Sequence, residues 1–202
     1  GNHSNTENLA EFTVDKTLPT VSVSYNNNDV LNGHYYSDTR TATVTITEHN
    51  FRASDARATI TAALNGAGIS APSISGWSTS GDRHTATVSF NSDGDYTFDI
   101  AYTDLAGNAM ADYAQDSFTV DLTNPEIEIT GVENRSANKG TVAPVITLTD
   151  TNYTANGVTL TLTGADKGRI NVDAMVSRSA VTNGQTITFR NFGENMDDIY
   201  TL

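Results

Sequence analysis

Two stretches decide the fold: "FTVDKTLP" at residues 12–19 and "FTVDLTNP" at residues 118–125. They stand 106 residues apart, and the likeness extends beyond them. Laid without gaps over 107–125, residues 1–19 agree at eight of nineteen positions. "TVTITEHNF" (43–51) returns as "VITLTDTNY" (145–153), which aligns Glu48 with Asp150 and Asn50 with Asn152. "DGDYTF" (93–98) returns as "DDIYTL" (197–202), which aligns Tyr96 with Tyr200. A period of about 105 residues is one domain per repeat. Solenoid units are shorter, about 20–50 residues.

The copies set the expected boundaries. Residues 1–16 read as the terminal strand of a preceding repeat or a linker, 17–121 as a first domain and 122–202 as a second. Leu202 is the counterpart of Phe98, so the second copy is expected to lack its last strand. No leader sequence opens the chain, which reads as an interior piece of a longer protein.

Period-two alternation points to strands. Ala42, Val44 and Ile46 alternate with threonines in "TATVTIT" (41–47). Ala86, Val88 and Phe90 share a face, as do Tyr96, Phe98, Ile100 and Tyr102. "VSVSY" (21–25) and "ATITA" (58–62) alternate in the same way. In the second copy the same pattern runs through Ile127/Ile129, Ile146/Leu148, Val158/Leu160/Leu162 and Ile187/Phe189. One apolar face per strand implies sheets packed face to face. "NGAG", "TSGD", "NSDGD" and "TANG" supply turns. The fold class is therefore all-β: two tandem immunoglobulin-like sandwiches, about seven strands in the first, the second truncated at its C-terminal strands. A helix over 53–64 is the local competitor, disfavoured by Thr59, Ile60 and Thr61. Tyr96 fits a tyrosine corner. Trp77 reads as a plug for the first core, or else as part of a binding face.

Composition excludes several functions. A net charge of −13 argues against nucleic acid and anionic membranes, which call for clustered Lys and Arg. It suits a soluble exported protein, or one that holds cations. The absence of cysteine excludes disulfides, thiolate metal sites and thiol catalysis. No apolar run reaches the roughly 20 residues of a membrane span.

The "FTVDKTLPTV" and "FTVDLTNPEI" starts, with "DGDYTFDIAYTDLAGN" through the late strands, resemble bacterial immunoglobulin-like (Big-type) domains strung along large cell-surface and adhesin proteins. The resemblance covers both copies and implies rods or stalks that carry a distal binding module. It also implies calcium at domain junctions in some members.

No catalytic constellation stands out. Histidine occurs at 3, 34, 49 and 84 only, and no H-E-x-x-H, G-x-S-x-G or phosphate loop is present. Lys16 becomes Leu122 in the second copy, so no Lys–Asn cross-link repeats. Sandwich topology does gather oxygen donors. It brings Asp15 before the first strand, Glu48 and Asn50 in the B–C loop, and Asp104 and Asn108 in the F–G loop to one pole. In the second domain the same logic gathers Asp121, Asp150 and Asn152. Such sets suit Ca²⁺, the single cofactor suggested, although Asp and Asn also serve turns without metal. Asp93 or Asp95 could contribute at the other pole.

The leading expectation is a non-catalytic stalk or spacer repeat, extracellular on a bacterial surface, whose partners are neighbouring repeats. The alternative is a host-protein or glycan-binding module, or an accessory to a secreted enzyme, with Tyr35, Tyr36 and Trp77 as a candidate aromatic platform. A monomer is expected. Strand exchange between an N-terminal segment and the open second domain is the competing arrangement.

Overall fold

The computed structural model describes residues 11–193 and 195–202. The chain divides into two compact units between Leu122 and Thr123. Among the described residues the helical elements are three short 3-10 turns, and no helix is long and apolar enough to cross a membrane.

The first unit contains β1 (Thr20–Tyr25), β2 (Tyr35–Tyr36), β3 (Arg40–Thr47), β4 (Arg57–Leu64), β5 (Ala67–Gly68), β6 (Ser78–Ser80), β7 (Arg83–Phe90), β8 (Gly94–Ala101) and β9 (Asp116–Val120). Two sheets form, in the orders β1-β3-β7-β6 and β2-β9-β8-β4-β5. This is the strand order of an immunoglobulin-like sandwich. The elements beyond the expected seven are the two-residue strands β2 and β5, too short to show as alternation. β2 runs parallel to β9, with Tyr35 opposite Thr119 and Tyr36 opposite Val120.

Alternation explains the core. β3 buries Ala42, Val44 and Ile46 completely, while its threonines face outward. β8 and the residue directly after it bury Tyr96, Phe98, Ile100 and Tyr102, which meet Phe118 from the adjacent β9 and Phe90 from β7 of the facing sheet. Each such large side chain contributes about 1.5–3 kcal/mol. The stretch after the 3-10 turn Ala53–Asp55 is strand β4, as its β-branched residues favour. Asn65 and Gly66, at φ 53° and 76°, close the β4–β5 hairpin as a type I′ turn. The Tyr96 hydroxyl donates to the Ser92 carbonyl at 2.9 Å, a tyrosine corner. Trp77 is half-buried with its ring 5.1 Å from that of Phe51.

Arg40 is buried among aromatic rings. Its guanidinium carbon lies 3.6 Å from the Tyr25 centroid, 4.1 Å from Tyr36 and 4.5 Å from Phe118. Its Nε donates to the Asn27 carbonyl at 3.0 Å. A desolvated cation over a ring is worth about 2 kcal/mol. Nearby, the hydroxyls of Tyr25 and Tyr113 both donate to Asp116 Oδ2, each at 2.5 Å. This ties β1 to β9.

The second unit contains β10 (Glu126–Thr130), β11 (Val145–Thr149), β12 (Thr163–Gly164), β13 (Gly168–Arg169), β14 (Val176–Val181), β15 (Gly184–Phe189) and β16 (Tyr200–Thr201). Its sheets are β10-β11-β15-β14 and β13-β12-β16. The first repeats the order of β1-β3-β7-β6, and the second is three short strands around the Leu162, Ile187 and Phe189 core. Tyr200 builds the same corner as Tyr96, donating to the Met196 carbonyl at 2.7 Å.

Two expectations fail. Ile127 and Ile129, expected to face inward, are 64% and 47% exposed. Alternation assigns them a common face, but the short opposing strands do not cover it. Over 158–162 no ladder forms, although Leu162 is buried and Val158 and Leu160 pack on the core; pairing begins at Thr163. Residues 11–16, within the stretch read as the terminal strand of a preceding repeat or a linker, join no sheet. Residues 1–10 lie outside the described residues.

Candidate metal centre

Three segments of the first unit meet at one pole: the chain before β1, the β3–β4 loop and the β8–β9 loop. Each brings an acid that folds its own turn, as short polar side chains do by accepting from nearby backbone. Asp15 Oδ1 accepts from the Thr17 N–H at 2.9 Å. Glu48 Oε1 accepts from the Asn50 N–H at 2.7 Å. Asp104 Oδ1 accepts from the N–H groups of Ala106 at 2.8 Å and Asn108 at 2.7 Å.

Amides then cross-link the segments. Asn50 Nδ2 donates to Asp15 Oδ2 at 2.6 Å. Asn108 Nδ2 donates to Asp104 Oδ2 at 2.7 Å and to the Asp15 carbonyl at 3.3 Å. Carboxylate oxygens of Asp15, Glu48 and Asp104 consequently lie within 4.8 Å of one another. Glu48 and Asp104 are only 4% and 5% exposed. Burial alone would raise the Asp104 carboxyl. Hydrogen bonds from the Asn108 amide and from the backbone of Asn108, Ala106 and Gly107 outweigh it and hold the group below the usual carboxylate range.

The five residues expected at this pole are brought together, with a division of roles. Asn50 and Asn108 present N–H rather than oxygen to the carboxylates, so they position the acids. Three carboxylates form an oxygen-only donor set, the chemistry of a hard cation such as Ca²⁺. Backbone carbonyls or water would complete the six to eight oxygens that ion takes. The donor set fits the ion.

Two supports were not anticipated. His84 Nε2 donates to the Glu48 carbonyl at 2.8 Å, and its ring stacks on Phe51 at 3.9 Å. The Tyr102 hydroxyl accepts from the Arg52 N–H at 3.1 Å. A signal existed for His84, which shares the inward face with Ala86, Val88 and Phe90.

In the second unit, Asp150 Oδ1 accepts from the Asn152 N–H at 2.7 Å, the Glu48–Asn50 turn repeated. Asp150 N–H donates to the Asn183 carbonyl at 2.8 Å, as Glu48 N–H does to Asp82 at 2.8 Å. Asp121 closes the first unit, where its N–H donates to the Tyr36 carbonyl at 2.9 Å. At the other pole of the first unit, Asp93 accepts from the Leu122 N–H at 2.6 Å and Asp95 from the Thr119 hydroxyl at 2.6 Å, which fastens β9.

Tyr35, Tyr36 and Trp77 do not share a surface. Tyr36 is buried under Arg40, Trp77 lies by Phe51 beside β6 of the other sheet, and Tyr35 is half-buried next to His34. A polar recess lined by Asn26, Asn27, Asp29 and Asp38 uses its amides on the loop itself, Asn27 Nδ2 donating to the Asp38 carbonyl at 3.3 Å.

No protein-family model matches the sequence, and no curated protein matches it. Among solved structures, the I9–I11 tandem of titin is 17% identical at a TM-score of 0.23, over 91% of this chain and 60% of that one. The titin tandem A164–A165 is 12% identical at a TM-score of 0.30, over 82% of this chain and 86% of that one. The I-band fragment I67–I69 of titin is 15% identical at 0.29, over 82% and 54%. Scores this low carry no argument, and the sandwich assignment rests on strand order.

Proposed function

We propose that the chain is a non-catalytic structural repeat, a spacer in the stalk of a bacterial cell-surface or secreted adhesin-like protein. In this reading its partners are neighbouring repeats, and Asp15, Glu48 and Asp104 hold Ca²⁺ at the pole of the first unit. One observation carries it: the trio joins the chain running into the unit, through Asp15, to the two loops that carry Glu48 and Asp104. A cation held by all three fastens that segment, which is what a spacer joint needs. The repeated Asp-x-Thr-x-Pro starts, the charge of −13 and the absence of cysteine support a repeated exported module. The dispersal of Tyr35, Tyr36 and Trp77 speaks against a stacking platform for glycans.

Scanning calorimetry with calcium, with magnesium and with chelator tests this. A ligand at about 100 times its Kd stabilises the folded unit by about 2.7 kcal/mol. The midpoint of the first unit should rise by several degrees with calcium and fall back with chelator. Asp15→Asn, which keeps an oxygen for the Thr17 N–H, should lose the rise. Identical traces in calcium and chelator would overturn the cation reading and reduce the three acids to turn residues.

A further inference from the structure

Sheet edges are kept from pairing with other chains by shortness, charge or proline. In the first unit the edge strands β2 and β5 are two residues long and β6 three. In the second, the edge strand β10 carries Glu126 and Glu128, and β14 carries Arg178. β1 is the exception. Its six residues, Thr20–Tyr25, end the β1-β3-β7-β6 sheet without a single charge. The edge belongs to the first unit itself, both of whose sheets are built between Thr20 and Val120.

Parity decides which backbone groups of β1 face outward. β1 runs antiparallel to β3, from Thr20 opposite Thr47 to Tyr25 opposite Ala42. The next pair is hydrogen-bonded, since the Asn26 N–H donates to the Thr41 carbonyl at 3.1 Å. Hydrogen-bonded pairs alternate with open ones in such a ladder. Thr20, Ser22 and Ser24 therefore turn their backbone groups to β3, and Val21, Val23 and Tyr25 turn theirs to the edge. Among the described residues no other strand pairs with that edge.

Two details fix what the edge can accept. The Tyr25 carbonyl already accepts from Asn28 Nδ2 at 3.2 Å. Pro19, next in the outward row, has no N–H to give. Val21 and Val23 thus offer both donor and acceptor, Tyr25 a donor, and Pro19 an acceptor. The side chains of Val21, Val23 and Tyr25 pack on the core, while Thr20, Ser22 and Ser24 are exposed. An added strand meets a row of neutral hydroxyls, and unpaired edge groups are a template for it.

We propose that β1 pairs antiparallel with β1 of a second copy of this chain, about a twofold axis at Ser22. In that register Val21 lies opposite Val23 of the second copy, and each such pair exchanges both backbone hydrogen bonds. The Tyr25 N–H meets the Pro19 carbonyl, so neither the donor that Pro19 lacks nor the engaged Tyr25 carbonyl is called upon. An axis at Val23 would instead set that engaged carbonyl against the Val21 N–H. A second copy fits because the edge is self-complementary: Ser22 faces Ser22 and Thr20 faces Ser24, with no like charges opposed. The net charge of −13 per chain lies outside the strand, and salt screens it beyond about 8 Å. For a stalk repeat this is a contact between rods approaching from opposite sides; that significance rests on the proposed function, and the pairing does not.

Sedimentation velocity of the 202-residue chain over a range of concentrations is the first test. The mass should climb to that of a dimer and stop there, because a twofold contact closes on itself. Amide exchange at Val21 and Val23 should slow by about tenfold or more from dilute to concentrated solution, with Ser22 and Ser24 unchanged. Ser22→Lys alters an exposed side chain, so it should keep the parent's folding midpoints and stay monomeric. Cysteine pairing reads the register, since the chain has no cysteine of its own. Open pairs hold their Cα atoms about 4.5 Å apart, within disulfide reach. Ser22→Cys should oxidise to a covalent dimer. Ser24→Cys should do so only when mixed with Thr20→Cys. Three results would overturn the proposal: a parent chain that stays monomeric throughout, assembly that runs past the dimer, or cross-linking of Ser24→Cys alone as fast as Ser22→Cys.

Discussion

The hydroxyl of Tyr96 donates to the carbonyl of Ser92, four residues upstream, at 2.9 Å, and Tyr200 repeats the bond to Met196 at 2.7 Å. Each bond pins the start of a strand to the loop before it. Tyr96→Phe keeps the ring in the core and removes only the donor. The loss should be about 1–1.5 kcal/mol, read as a lower midpoint for the first unit's transition alone. Tyr200→Phe should act likewise on the second.

Tyr153 calls for the reverse outcome. Among the described residues its hydroxyl is the one buried side-chain polar atom without a hydrogen-bond partner. The aligned residue of the first copy is Phe51. Tyr153→Phe removes an unsatisfied group whose burial costs about 1–3 kcal/mol. The second unit should become more stable, by denaturant midpoint at unchanged slope.

Asp116 sets the alkaline limit of the first unit. Burial, then the hydrogen bonds and charge at Asp116, push the phenols of Tyr25 and Tyr113 well above their ordinary values. A raised folded-state value gives stability that is complete below the unfolded pKa of about 10 and is lost as pH rises beyond it. Spectrophotometric titration should show Tyr25 and Tyr113 silent until unfolding. In Asp116→Asn they should titrate earlier.

Asp198 sets an acid limit in the second unit. Its carboxylate accepts from the N–H groups of Asp166 and Lys167 at 3.0 Å each and of Ile199 at 2.7 Å. The Asp166 bond, with help from those of Lys167 and Ile199, holds its pKa below the usual range. A lowered value gives stability that is present above the unfolded pKa of about 3.9 and disappears as pH falls below it. The second transition should weaken through that window, and Asp198→Asn should flatten the dependence. Gly164→Ala should disturb the same contact at any pH, because a Cβ there would collide with the Asp198 carboxylate.

The pole of Asp15, Glu48 and Asp104 was legible because strand order alone determines which loops share an end of a sandwich. The roles of Asn50 and Asn108 were not, since an amide can turn either face and only neighbouring acceptors decide which. Arg40 opens a strand and reads as a surface cation; the three rings that enclose it come from positions as distant as Phe118. The Tyr25–Asp116 bond spans 91 residues and leaves no local pattern. Ile127 and Ile129 alternate as core residues should. What alternation does not carry is the length of the strands opposite.

The parallel pair β2 and β9 is held by the Thr119 N–H on the His34 carbonyl and the Asp121 N–H on the Tyr36 carbonyl, both at 2.9 Å. Parallel strands in the same sheet point the same way, while tension on the two ends of the unit draws them in opposite directions. The force therefore runs along the strands and across their hydrogen bonds, which share the load instead of parting one by one. Two residues of strand, too short to be read in the sequence, fix the last strand of the first unit in place from its outer side.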